Sequence, residues 1–178
     1  RAFGRGIVMS GRLVSIAILL CAVVAGAALY YLQVFAFYND VPDQGDAVAL
    51  VTADGGQVVL NYAGFKAIDA ASSPIRYRAC FQAEAVDTAD FVSMPDAVPR
   101  NAPGWFDCFD AEAIADALAD GTARAFLGQK NIAFGVDRII VLTRDGRGFV
   151  WHDLNDCGEK AYDGTVLGEA CPQRETDQ

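Results

Sequence analysis

From Leu13 to Phe37 the chain reads LVSIAILLCAVVAGAALYYLQVFAF and carries no charged residue. Its most apolar stretch, Leu13 to Val34, is 22 residues long. As an α-helix that stretch reaches about 33 Å, enough for the hydrocarbon core of a bilayer. Tyr30, Tyr31, Phe35, Phe37 and Tyr38 gather at its far end, where amphipathic rings favour the membrane–water interface. The pattern predicts a transmembrane helix over 13–37. Ala17, Cys21, Ala25 and Ala28 recur at three- to four-residue spacing, next to Ala22 and Gly26. Such a stripe of small side chains lets helix backbones approach closely in lipid and is the candidate docking face for a partner helix. The plainer alternative is an Ala-rich anchor without a partner.

Beyond Phe37 the period changes. Residues 38–46 are rich in turn formers and are expected to be a linker. Ala47–Thr52 and Gln57–Tyr62 read as strands around the turn Ala53-Asp54-Gly55-Gly56. Phe65–Ser73 fits neither template. Ile75–Gln82, IRYRACFQ, alternates cleanly. Residues 84–104 hold Pro95, Pro99 and Pro103 and are expected to be a loop. Asp110–Asp120, DAEAIADALAD, is the one clear helix after the anchor, with Asp110 placed to cap it and Gly121 to end it. Strands return at Ala123–Leu127, Asp137–Thr143 and Gly148–Leu154, the last two joined by Arg144-Asp145-Gly146-Arg147, whose Asp-Gly pair is a hairpin signal. The expected fold class is α+β: an N-terminal transmembrane helix, then a small, mostly antiparallel sheet over 47–171 with one packed helix, and a frayed tail over 172–178.

Charge sharpens the topology. The net charge of −9 is divided unevenly. The first 38 residues hold Arg1, Arg5 and Arg12 as their only charges; the rest holds 11 basic and 23 acidic side chains, a net −12. Arginines before the apolar segment and Asp40, Asp43 and Asp46 after it place residues 1–12 in the cytoplasm and the domain outside. Arg12, the apolar run and Ala25-Gly26-Ala27 also fit a cleavable secretory signal. The apolar run continues past that site, so an uncleaved anchor is expected. Met9 is the expected natural start, with Arg1–Val8 as upstream sequence. A domain this acidic repels nucleic acid and anionic lipid, and it suits a basic protein or simple solubility.

Of five cysteines, Cys21 lies in the apolar segment and is expected to be a small filler. Cys80, Cys108, Cys157 and Cys171 form an even set in an exported domain, which implies two disulfides. Three pairings exist. Cys80–Cys108 with Cys157–Cys171 is preferred, because the second would staple a tail segment with little core of its own. There is no C-x-x-C or C-x-x-C-H, and His152 is the single histidine. Thioredoxin-type redox chemistry and covalent haem therefore lack their motifs, and a Cys/His zinc site would need nearly all the thiols.

The other candidates for chemistry each have a plain structural reading. Asp153, Asn155, Asp156 and Glu159 resemble a calcium loop, but Cys157 stands where an oxygen ligand is needed, and a solvated acidic turn is expected. Trp105, after Pro103-Gly104, is either a binding hot spot or a ring packed on the neighbouring disulfide. His152 alternates with Trp151, so the two point to opposite sheet faces; a pH-sensing or basic role competes with a structural one. Arg76 and Arg78 share a strand face and could clamp a carboxylate, although pairing with internal acids is the default. GQKNIAFG has the wrong glycine spacing for a phosphate loop.

The stretches SGRLVSIAILLCAVVAGAALYYLQV, SSPIRYRACF, NAPGWFDCFDAEAIADAL and GVDRIIVLTRDGRGFVWH resemble an uncharacterised family of short membrane-anchored proteins from Rhodobacter-like alphaproteobacteria. The resemblance runs from Met9 to Cys171. It implies a Gram-negative inner membrane and a periplasmic domain, and carries no catalytic residues across. The expected function is a non-enzymatic accessory subunit, or an assembly or stabilising factor, of an inner-membrane complex. A respiratory or photosynthetic electron-transfer complex is the candidate host, because periplasmic electron carriers are often basic. No cofactor and no metal are expected. The rivals are a periplasmic ligand-binding or sensor domain using Arg76, Arg78 and Trp105, and a thiol enzyme or assembly chaperone.

Overall fold

The computed structural model describes residues 10–173; Arg1–Met9, with the expected start at Met9, and the last five residues of the tail lie outside the described residues. The chain divides into two units, at Phe37 and Tyr38.

The first unit is helical. α1 spans Gly11–Tyr31 and continues as a π-helical turn over Leu32–Ala36. The segment is 26 residues long, its most apolar 18-residue window has a mean hydropathy of 2.5, and it is long and apolar enough to cross a membrane. None of its residues is buried. A continuous helix satisfies its own backbone polar groups, which a hydrocarbon environment demands.

The second unit, from Tyr38 onward, is built on a six-stranded antiparallel sheet. Its strands are β1 (Asn39–Asp40), β4 (Tyr62–Asp69), β5 (Arg78–Ala83), β6 (Ala123–Ala133), β7 (Val136–Thr143) and β8 (Arg147–Leu154), in the order β1-β4-β5-β8-β7-β6. A separate hairpin pairs β2 (Ala49–Val51) with β3 (Gln57–Val59). The helix α2 covers Ala111–Ala119. Asp110 caps it by accepting from the N–H groups of Glu112 (3.0 Å) and Ala113 (3.2 Å), satisfying donors that the first turn leaves open.

Period-two alternation sorts the central strands onto two cores. On one face Ala79, Phe81, Phe126, Ile140 and Val150 pack with Val48, Leu50 and Leu60 of the hairpin region. On the other, Cys80, Val141, Phe149 and Trp151 pack with Phe109 and Ile114 of the α2 side. The sheet is thus a middle layer, buried on both sides.

Two sequence expectations change here. The strands around Ala53–Gly56 are not part of the main sheet but a cover for the face that carries Phe81, Phe126 and Ile140. The expected linker is part of the domain: β1 pairs with β4, the Val41 N–H donates to Ala67 O at 2.9 Å, and the Tyr62 hydroxyl donates to Asp43 Oδ1 at 2.5 Å. β4 takes up Phe65–Asp69, the first part of the stretch that fitted neither template. Its register with β5 shifts between Ala63 and Lys66, around Gly64 at φ 64°, and that bulge puts its alternation out of phase.

Candidate functional site

Both preferred disulfides are present. Cys80–Cys108 ties β5 to the loop ahead of α2, across 28 residues. Cys157–Cys171 closes a 14-residue separation. Within that second loop no residue is buried. It is held by a bridge between Lys160 and Val166 and by an ion pair between Lys130 and Glu169.

The arginine clamp of the sequence reading does not form. Arg78 is buried. Its Nη1 donates to the carbonyls of Ile75 (2.9 Å) and Tyr77 (2.6 Å), and its Nε to those of Arg100 (3.0 Å) and Asn101 (3.2 Å). It binds the proline-bearing loop to β5 through backbone carbonyls, with no internal acid within ion-pair distance among the described residues. Burial lowers its pKa to about 10. Arg76 precedes β5 and lies over the Tyr38 ring at 5.7 Å. Trp105 is half-buried and edge-on to Tyr38, with 6.0 Å between centroids. The tryptophan that shares a core with Cys80 is Trp151.

His152 is buried on the face opposite Trp151, as the alternation requires. Its ring stacks on Tyr77 at 4.6 Å and 12°. Its Nε2 accepts from Arg138 Nε at 3.1 Å, so the proton sits on Nδ1, which donates to Pro74 O at 2.8 Å. Arg138 also lies over the Tyr77 ring, 4.9 Å from its centroid. Burial is the main cause that brings the His152 pKa down to about 4, and the charges of Arg138 and Arg78 add to it. The imidazole is neutral at pH 7 and fully occupied by structural partners.

The acids after β8 do not converge. Asp153 Oδ1 accepts from Arg100 Nε at 2.9 Å. Asn155 donates to Asp137 Oδ1 (2.7 Å) and Asn131 Oδ1 (2.9 Å). Among the described residues no three His, Cys, Asp or Glu side chains are grouped to hold a metal. The run GQKNIAFG is the far half of β6 and its turn into β7. Gly128 is needed there because a Cβ would meet Ile140 Cδ1 at 2.8 Å.

The reading of the sequence missed a cleft at one end of the sheet, with a volume of about 490 Å³. It lies where β5 ends, β6 begins and the β7–β8 turn closes. Arg124 and Arg144 are its cations, Glu84 and Asp145 its acids, and Phe126 and Leu142 its apolar floor. Arg124 Nη1 donates to Thr88 Oγ1 at 3.0 Å, and its guanidinium lies over the Phe126 ring at 5.2 Å. Arg144 Nη2 donates to Gly121 O at 3.1 Å.

The fold defines the class: a disulfide-stapled α+β domain carried behind a helix long and apolar enough to span a membrane. The chain belongs to DUF6446, a family of unknown function, whose model matches residues 48–172. The match covers the folded domain from just before β2 to just past Cys171. No curated protein and no solved structure matches the chain.

Proposed function

We propose that this chain is a non-catalytic accessory protein, a permanent subunit or a stabilising factor, of a bacterial inner-membrane assembly. In this reading α1 spans the membrane with its N-terminus in the cytoplasm, and the acidic domain works in the periplasm. One observation carries it: a 26-residue helical segment whose most apolar 18-residue window has a mean hydropathy of 2.5, with no buried side chain. So much apolar surface must be covered by lipid or by another helix, and Ala17, Cys21, Ala25 and Ala28 offer the close-approach face. The domain supports the same role. Its buried polar side chains, Arg78, Asp137 and His152, all bind structural partners. Its net −12 favours a basic periplasmic partner, such as an electron carrier of a respiratory or photosynthetic complex.

The experiment is purification through a C-terminal tag after mild detergent extraction of native membranes. A stoichiometric membrane complex, with its members identified by mass spectrometry, is the expected result. A free monomer, even after cross-linking, would refute the accessory role.

A further inference from the structure

We propose that the cleft at the end of the sheet binds a small organic acid, with the carboxylate on Arg124 and Arg144 and the hydrocarbon body on Leu142 and Val86. This does not depend on the accessory role, because the cleft belongs wholly to the folded domain.

Four observations converge. The first is charge. The domain holds twice as many acids as bases, yet neither arginine has a carboxylate within ion-pair distance among the described residues. The two acids of the cleft are already engaged. Asp145 Oδ2 accepts from Arg147 Nε at 2.8 Å and its other oxygen accepts from the Thr143 hydroxyl. Glu84 Oε2 accepts from Asn61 Nδ2 at 3.4 Å.

The second is donor geometry. A guanidinium has five N–H donors in a rigid plane. Arg124 and Arg144 each give one to a neutral oxygen, at Thr88 and Gly121. Those bonds orient the planes and leave further donors for a carboxylate, which arginine meets in a bidentate fork.

The third is how the two cations are fixed in space. Arg124 lies opposite Leu142 in the β6–β7 register. The Arg144 N–H donates to Thr122 O at 3.0 Å, pinning the turn to the start of β6. Arg124 thus comes from the start of β6, and Arg144 from the β7–β8 turn, which is hydrogen-bonded to that strand's lead-in.

The fourth is the floor. Leu142 is half-buried, packs against the core that holds the fully buried Phe126, and has the exposed Val86 beside it. Leu142 and Val86 give the cleft an apolar half that a bare inorganic anion would leave unused. The volume falls within the range of small-molecule sites.

The test uses the purified full-length chain in detergent, titrated by calorimetry with hexanoate, adipate and inorganic phosphate. Saturable binding of hexanoate or adipate is expected, at least tenfold tighter than phosphate. Arg124→Gln and Arg144→Gln should each weaken it at least tenfold without shifting the melting temperature, since both side chains are exposed. Leu142→Ala should weaken the organic acids and leave phosphate unchanged. Three results would overturn the site: no saturation by either organic acid at tens of millimolar, phosphate binding as tightly, or affinity unchanged in both arginine variants.

Discussion

The imidazole of His152 lies flat on the phenol ring of Tyr77, 4.6 Å between centroids and 12° between planes. The guanidinium of Arg138 lies over the same phenol ring, at 4.9 Å. A second positive charge in this stack would meet Arg138 at close range, in a buried setting. Burial first, and the Arg138 and Arg78 charges after it, keep His152 neutral, with a pKa of about 4. Unfolded, the same imidazole titrates near its ordinary 6.5. Between those values the unfolded chain binds the extra proton, so stability falls as pH drops from 6.5 towards 4. A shift of this size corresponds to a loss on the order of 3 kcal/mol across that window. Chemical denaturation at pH 7 and pH 4.5 should show His152→Gln losing less stability on acidification than the parent chain. An equal loss in both would remove His152 as the cause.

Asp137 is buried and accepts from the Asn131 N–H at 2.8 Å and from Asn155 Nδ2 at 2.7 Å. Asn131 has φ 52°, a left-handed conformation that asparagine tolerates better than most residues. The carboxylate therefore holds an irregular point of β6 against the chain leaving β8. Asp137→Ala leaves the half-buried Asn131 N–H without an acceptor and Asn155 Nδ2 with only Asn131 Oδ1, and should cost about 1–3 kcal/mol. Asp137→Asn retains one acceptor and should cost less. Urea melts of the two variants give the comparison.

The two disulfides should differ in their effect. Cys80–Cys108 joins residues of one core across 28 residues, and replacing both by serine should cost about 3–4 kcal/mol of global stability. Cys157–Cys171 staples a loop with no buried residue. Its loss should leave the main melting transition within about 0.5 kcal/mol while making residues 157–171 sensitive to limited proteolysis. A comparable global loss in both variants would mean that the loop supports the sheet.

Phe81 covers Gly148, its partner across β5 and β8. A Cβ on Gly148 would come 2.0 Å from Phe81 Cζ. Gly148→Ala should cost about 2–3 kcal/mol through overpacking. In a Phe81→Leu background the same change should cost clearly less, a coupling that a double-mutant cycle measures.

The sequence displayed whatever depends on regular period. The apolar helix, the Asp110 cap, the Asp145-Gly146 hairpin and the opposition of Trp151 and His152 all follow from spacing alone. What it hid depends on broken period or on distance. β4 was obscured by the bulge around Gly64, and the far half of β6 by Asn131 and its polar neighbours. The cover role of β2 and β3 follows from which face of the sheet they reach, and no local pattern states that. Arg76 and Arg78 suggested a site because they lie close in sequence, yet Arg78 is consumed by backbone carbonyls of a distant loop. Arg124 and Arg144 lie twenty residues apart and meet through strand pairing, so in the sequence each was one charge among many. A signal was available in retrospect: both follow from the pairing of two strands that were themselves recognised.

The central claim is that α1 docks a partner helix through its small-residue face. The most direct measurement is site-specific photo-cross-linking in native membranes, with a photoreactive residue at Ala25 on that face and, separately, at Leu19 or Val23 on the opposite face. The account predicts one discrete protein adduct from Ala25, of the same mass as a member of the co-purified complex, and little from Leu19 or Val23. Equal yields around the helix, or lipid adducts alone at every position, would contradict it.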